Sequence, residues 1–124
     1  QKEIENYVFI NPPTNNIKKE YLNSSIYLMT SRWEGLPMVL LEAQSFGLPI
    51  VSFSCPEGPA TIIQHNKSGF LVQPGEIDDM VNQITKLTSD ISLRTVMGQE
   101  AIKNSQKYKP QLIAEKWLEL LKNE

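Results

Sequence analysis

Short apolar runs alternate with stretches of helical spacing along the first two-thirds of the chain, and the last third has helical spacing only. The runs are short and rich in β-branched and aromatic side chains, as is typical of strands. They predict strands over 7–10, 26–29, 50–53 and 70–72. Apolar residues three and four positions apart, together with Pro and Gly at helix ends, predict helices. The predicted helices span 17–23, 37–46, 60–65, 77–87, 91–107 and 111–122.

Strands that alternate with helices at this spacing predict an α/β fold, in which a parallel sheet is flanked by helices. Ligands of such sheets bind at the carboxyl ends of the strands, in the loops that lead into helices. We therefore expect the functional residues to lie in the loops 11–16, 30–37 and 54–60.

The composition is that of one ordinary globular domain and argues against several kinds of partner. The chain has 124 residues, of which 40% are hydrophobic and 21% are charged. A net charge of −2 without a basic face gives no support for nucleic-acid binding. No apolar run approaches the roughly 20 residues that cross a bilayer. The single Cys55 rules out an internal disulfide, so we expect a cytoplasmic protein. Because the chain begins with Gln1 and not Met, we also expect a piece of a longer protein.

The stretch SRWEGLPMVLLEAQSFGLP, residues 31–49, carries two glutamates in a segment that is otherwise almost wholly apolar. Glu42 lies inside the predicted helix 37–46, which is apolar nearly all round and is therefore expected to be buried. A buried carboxylate without a partner would be strongly destabilising. We expect Glu42 to reach a cation, to find hydrogen-bond donors or to face a cleft. The alternative is that Glu42 points into water from one exposed strip of the helix.

Glu34 precedes the same helix and is followed by Gly35, which allows the backbone to bend tightly. The backbone N–H groups of Gly35, Leu36 and Met38 lie at the predicted helix N-terminus, where the helix dipole favours an anion such as a phosphate. The alternative is that Glu34 is simply a carboxylate that interacts with this dipole. Taken singly, neither glutamate indicates a function.

The combination of the two glutamates with their surroundings is more specific. Seven residues separate Glu34 from Glu42, and Gly-Leu-Pro follows the first of them directly. The stretches FGLPIV, CPEGP and SGFLV follow in this order. Over residues 24–88 the chain resembles the sugar-nucleotide-binding region of retaining glycosyltransferases built from two Rossmann-like domains, the GT-B type of the glycosyl transferases group 1 family.

The resemblance implies a fold, a domain and roles for single residues. The implied fold is a Rossmann-like parallel sheet flanked by helices, with extra C-terminal helices. Residues 1–124 would form part of a C-terminal sugar-nucleotide-binding domain, without its upstream basic diphosphate-binding residues and without the N-terminal acceptor domain. Glu34 is implied to be catalytic and to contact hydroxyls of the donor sugar, and Glu42 is implied to bind the ribose. The residues implied to lie at the donor sugar and diphosphate are Gly35, Leu36, Met38, Val39 and Gly58, with Glu57 beside them.

The implied reaction transfers a hexose-type sugar from a UDP-, GDP- or ADP-sugar to a hydroxyl of a glycan or lipid-linked acceptor, with retention of configuration. It would serve cell-surface polysaccharide, glycolipid or glycoprotein assembly, and no cofactor or bound metal is expected. The longer protein is expected in the cytoplasm, with peripheral association at the inner face of the membrane as one option, and this chain alone is expected to be inactive. Two alternatives are a sugar-nucleotide epimerase of related fold and a non-catalytic binding or scaffolding module. The complete motif argues against the first, and intact Glu34 and Glu42 argue against the second.

Overall fold

The computed structural model describes residues 3–122, which form a three-stranded sheet and six α-helices. The elements are α1 (Ile17–Leu22), β1 (Tyr27–Met29), α2 (Met38–Ser45), β2 (Ile50–Phe53), α3 (Pro59–Ile62), β3 (Gly69–Val72), α4 (Ile77–Ser89), α5 (Ile91–Ser105), a 3-10 turn (Gln106–Tyr108) and α6 (Pro110–Lys122). In the described residues, no helix has the length and apolar character needed to cross a membrane.

The three strands are parallel and follow one another in the order β1-β2-β3. Tyr27 pairs with Ile50 at the start of the first ladder, and Ile50 pairs with Gly69 at the start of the second. Each connection between neighbouring strands contains a helix, as parallel pairing requires. The prediction of a parallel α/β sheet is therefore confirmed, and all three strands end at the same edge.

The core lies on both faces of the central strand β2, whose four residues are all buried. Successive side chains of a strand point to opposite faces. Val51 and Phe53 pack with residues of β3, α4 and α5. Ile50 packs on the other face against Leu40 and Leu41 of α2. Helices cover both faces, so all four residues of β2 are buried, including the polar Ser52.

A buried polar cluster connects α2, α5 and the turn before β3. Gln44 donates a 3.0 Å hydrogen bond to the Ser68 hydroxyl, and Asn104 donates one of 3.0 Å to the Gln44 side-chain oxygen. The Asn104 amide also donates to the backbone carbonyl of Ile62 at 2.6 Å. Such buried polar groups are tolerated because each has a partner, and they fix how α5 lies on α2.

Two predicted elements differ from those observed. The strand predicted over 7–10 is wrong, because residues 5–7 form a turn and residues 8–10 are exposed and irregular. No strand in the described range lies beside this segment to accept its backbone hydrogen bonds, and its apolar, β-branched composition alone does not make a strand. The helix predicted over 60–65 is only the single turn Pro59–Ile62, because Ile63 is already extended, with ψ of 123°.

The C-terminal helix α6 is amphipathic but leaves its apolar side chains exposed. Trp117 is 62% exposed, and Leu118, Leu120 and Leu121 are similarly exposed. No residue of α6 is buried among the described residues. This helix therefore adds little to the core, and substitutions in it provide controls for experiments on the rest of the chain.

Candidate functional site

The loops that follow β1 and β2 lie side by side at the carboxyl edge of the sheet. Glu34, in the loop after β1, forms an isolated parallel bridge with Glu57, in the loop after β2. Two of the three predicted functional loops, 30–37 and 54–60, are thus brought together. The third, 11–16, leads into α1 but follows no strand, so the reason for expecting a ligand there is removed.

A close contact between two glycine-containing turns holds these loops in place. Gly58 is buried, and a Cβ atom added to it would lie 2.4 Å from the backbone oxygen of Gly35 and 2.9 Å from Cδ of Pro37. Only glycine fits this position. Gly35 is the opposite case, because an added Cβ would meet nothing within 4 Å. The outer side of the Gly35 backbone is therefore open to a ligand.

The helix α2 begins directly after the loop 30–37. Its N-cap residue, Pro37, provides no side-chain hydrogen bond, and the Pro37 carbonyl accepts a 3.0 Å bond from the Leu40 amide. Within residues 3–122, the amides of Met38 and Val39 donate to no acceptor. Free N–H groups and the positive end of the helix dipole make this position suited to an anion.

Glu42 lies one turn further along α2, on the exposed side of the helix. Its Oε2 atom accepts a 2.9 Å hydrogen bond from the phenolic hydroxyl of Tyr21 in α1. The Tyr21 ring is buried and stacks on Phe46, with 5.2 Å between ring centroids. Burial, followed by the hydrogen bond to Glu42, raises the pKa of the Tyr21 phenol, so the hydroxyl remains a donor throughout the neutral range.

The charges of Glu34 and Glu42 both affect the phenol of Tyr27. Burial raises the pKa of the Tyr27 phenol in β1, and the charges of Glu42 and Glu34 both raise it further. Glu34 lies in the loop before α2 and Glu42 on the exposed side of the helix, with the amides of Met38 and Val39 between them along the chain. The face formed by Glu34, Met38, Val39 and Glu42, here called the carboxylate face, thus has two free amides flanked by two acidic groups.

A model of the family described as glycosyl transferases group 1 matches residues 1–104. The chain belongs to this family. It is 37% identical over 119 residues to a Haemophilus influenzae protein named as an uncharacterized glycosyltransferase. This match covers 96% of the chain and 34% of that protein. The chain is also 39% identical over 109 residues to the amylovoran biosynthesis glycosyltransferase AmsD of Erwinia amylovora. This match covers 88% of the chain and 30% of AmsD.

A solved structure supports the same assignment. The chain superposes on a variant of S. aureus TarM, crystallised with fondaparinux, α-GlcNAc-glycerol and UDP, with a TM-score of 0.88 and 32% identity. The match covers 94% of the chain and 24% of the TarM chain. The predicted Rossmann-like α/β architecture of the GT-B type is thereby confirmed. The chain spans about a third of the length of the curated relatives named above.

The structure corrects the expectation that Glu42 lies in a buried helix. Its composition predicts a helix that is buried all round, but only one side of α2 is buried. The buried residues are Leu40, Leu41, Ala43 and Gln44. Met38, Val39, Glu42 and Ser45 are exposed. Glu42 therefore avoids burial, and it also finds a hydrogen-bond donor. The exposed strip and the donor, which the sequence presents as alternatives, occur together.

Sequence reasoning missed Tyr21 as a member of this site. The spacing of α1 places Tyr21 with Ile17 and Leu22 as an apolar residue, and Tyr21 is 21 positions away from Glu42. One signal was available, because a buried tyrosine usually requires a hydrogen-bond partner for its hydroxyl. The predicted residues Gly35 and Leu36 are exposed beside the carboxylate face, whereas Gly58 lies beneath the turn that carries them.

Proposed function

We propose that this chain is the donor-binding part of a retaining glycosyltransferase, which moves a hexose-type sugar from a nucleotide diphosphate-sugar to an acceptor hydroxyl. The observation that carries the proposal is the carboxylate face itself: along the chain, two free amides at the N-terminus of α2 lie between Glu34, in the preceding loop, and Glu42, on the helix. A nucleotide-sugar has the matching order of groups, namely a sugar, a diphosphate and a ribose.

The dimensions of α2 fit this order. Glu42 follows Met38 by four positions, and a rise of about 1.5 Å per residue places them about 6 Å apart along the helix axis. A diphosphate at the amides of Met38 and Val39 would then place its ribose beside Glu42. The Glu42 carboxylate would accept hydrogen bonds from the ribose hydroxyls, as acidic residues do in other nucleotide-binding sheets. Tyr21 would hold this carboxylate in position.

At the other end, Glu34 would contact the hydroxyls of the donor sugar next to the reacting carbon. The acceptor oxygen forms a bond to the anomeric carbon, and the bond from that carbon to the diphosphate breaks with its electron pair leaving on the phosphate oxygen, which takes up the proton of the acceptor hydroxyl. The negative charge that develops there is stabilised by the fixed N–H groups of α2. The open backbone of Gly35 would let the sugar approach closely, with Leu36 at its edge. Gly58 and Glu57 would support the loop from below.

The wider setting of the proposal follows the family. Residues 1–124 would belong to the C-terminal domain of a longer cytoplasmic protein whose N-terminal domain binds a glycan or lipid-linked acceptor. Peripheral association of that protein with the inner face of the membrane is one option. The TarM variant was crystallised with UDP, and AmsD is named for amylovoran biosynthesis, which supports a UDP-sugar donor and polysaccharide assembly. The proposal includes no protein-bound metal, an expectation that rests on the family resemblance.

Calorimetry of the 124-residue chain with UDP, GDP and ADP tests the donor site. We expect weak binding of at least one of them, and a loss of at least tenfold in affinity in Glu42→Ala. Glu119→Ala, in the exposed helix α6, is the matched control and should bind as the unmodified chain does. Equal affinities in Glu42→Ala and the unmodified chain would contradict the ribose assignment. For the full-length protein, the readout is donor turnover, which Glu34→Ala should abolish.

A further inference from the structure

A cavity lies at the carboxyl edge of the sheet, next to the carboxylate face but not part of it. Its volume is about 610 Å³. Residues from the ends of all three strands line it, among them Thr30, Arg32, Trp33, Phe53, Pro56 and Ile77. Its size is within the range of about 300–1,000 Å³ typical of small-molecule sites. None of the residues of the carboxylate face lines this cavity.

The loop that carries Glu34 separates the two sites. Trp33 lines the cavity, whereas the next residue, Glu34, has its Cβ atom against Gly58. The facing loop repeats this arrangement, because Pro56 lines the cavity and Glu57 forms the bridge with Glu34. A ligand in the cavity would therefore lie one residue away from the sugar end of the proposed donor.

The walls of the cavity combine an apolar surface with one cation. Trp33 is 78% exposed and Ile77 is 59% exposed, so both present apolar area to a ligand. An aromatic face suits the C–H face of a pyranose, since the negative π-face attracts polarised hydrogens. Arg32 is exposed, and among residues 3–122 its guanidinium makes no ion pair or hydrogen bond. A free guanidinium binds phosphate or carboxylate through two parallel hydrogen bonds.

We propose that this cavity is an acceptor subsite for a pyranose that carries a phosphate or a carboxylate. The ring stacks on Trp33 and the anionic group pairs with Arg32. This assignment rests on the proposed function, since an acceptor requires a donor beside it, and it adds a contact from this chain to an acceptor that the N-terminal domain also binds. The bridge between Glu34 and Glu57 then forms the common wall of the donor and acceptor sites.

Tryptophan fluorescence of the 124-residue chain tests the subsite. In Trp117→Phe, which changes only the exposed helix α6, Trp33 is the one remaining tryptophan. Its emission is titrated with glucose 1-phosphate, glucuronate, glucose and inorganic phosphate. We expect saturable binding of the two anionic sugars, and at least tenfold weaker binding of glucose and of inorganic phosphate. Adding Arg32→Ala should weaken the anionic sugars at least tenfold, and Arg32→Lys should weaken them less.

Several outcomes would overturn the subsite. These are the absence of saturable binding, equal affinities for inorganic phosphate and glucose 1-phosphate, or no effect of Arg32→Ala. Competition with UDP separates the subsite from the donor site. We measure UDP binding by calorimetry and expect UDP to bind without displacing glucose 1-phosphate. Displacement would show that the cavity belongs to the donor site. If the anionic sugars bind but no nucleoside diphosphate does, the saccharide site is supported and the proposed donor function is contradicted.

Discussion

The hydroxyl of Tyr21 in α1 donates a 2.9 Å hydrogen bond to Oε2 of Glu42, which lies 21 positions later, in α2. The donor belongs to a buried ring stacked on Phe46, whereas the acceptor is exposed. A fixed donor thus holds a side chain that would otherwise move freely in water. In the proposed donor site, this bond reduces the entropy that Glu42 loses when it binds the ribose.

Tyr21→Phe tests this positioning role. The substitution keeps the ring and its stacking on Phe46, and it removes only the hydroxyl that meets Glu42. Immobilising a free side chain on binding costs about 0.5–1.5 kcal/mol, so UDP affinity should fall by about two- to tenfold. Calorimetry measures this change. Tyr108→Phe is the control, because its hydroxyl bonds to the Thr61 carbonyl away from the carboxylate face, and its UDP affinity should be unchanged.

The same tyrosine predicts how stability depends on pH. The folded state raises the pKa of Tyr21 above its ordinary value of 10.0, and it also raises the pKa of Tyr27. Above pH 10 the unfolded chain loses these protons while the folded chain keeps them, so unfolding is favoured. The free energy of unfolding should be unaffected by these groups below pH 9 and should fall as pH rises above 10. Urea titrations between pH 7 and 11 measure this fall, which should be smaller in Tyr21→Phe.

The architecture could be predicted from sequence because it depends on local patterns. The apolar run 50–53 and the Pro and Gly that bound α2 indicate their elements without knowledge of the rest of the fold. Residues 7–10 have the same local pattern, yet they form no strand, because a strand also requires a neighbour to pair with. Local patterns thus indicate which segments can be strands, and pairing decides which ones are.

The candidate site was predictable only in part, for a similar reason. Glu34 and Glu42 belong to one continuous motif, so their spacing on a helix is visible in the sequence. The contact of Glu42 with Tyr21 depends on how α1 packs against α2, which no local pattern encodes. The cavity beside Trp33 likewise requires loops from three strands. Tertiary contacts of this kind appear only when the elements are assembled.

A pair of glycine substitutions separates folding from ligand binding. In Gly58→Ala the new methyl group would clash with the backbone oxygen of Gly35, so the free energy of unfolding should fall by about 1–3 kcal/mol. In Gly35→Ala the methyl group meets open space, and the change should stay within about 0.5 kcal/mol. Because that space is where the donor would lie, Gly35→Ala should still bind UDP-glucose at least fivefold more weakly. Equal stability losses in the two variants would show that the contact of the two turns is not what requires glycine.

The buried cluster of Gln44, Ser68 and Asn104 allows a test of the fold that does not involve the candidate site. Asn104→Ala removes the donor to Gln44 and to the Ile62 carbonyl and leaves both acceptors buried without a partner. Each unsatisfied group costs about 1–3 kcal/mol, so the free energy of unfolding should fall by about 2–6 kcal/mol. Thr95→Ala, on the exposed side of the same helix, should change it by less than about 0.5 kcal/mol. Urea denaturation compares the two variants, and a small loss in Asn104→Ala would show that water replaces the missing donor.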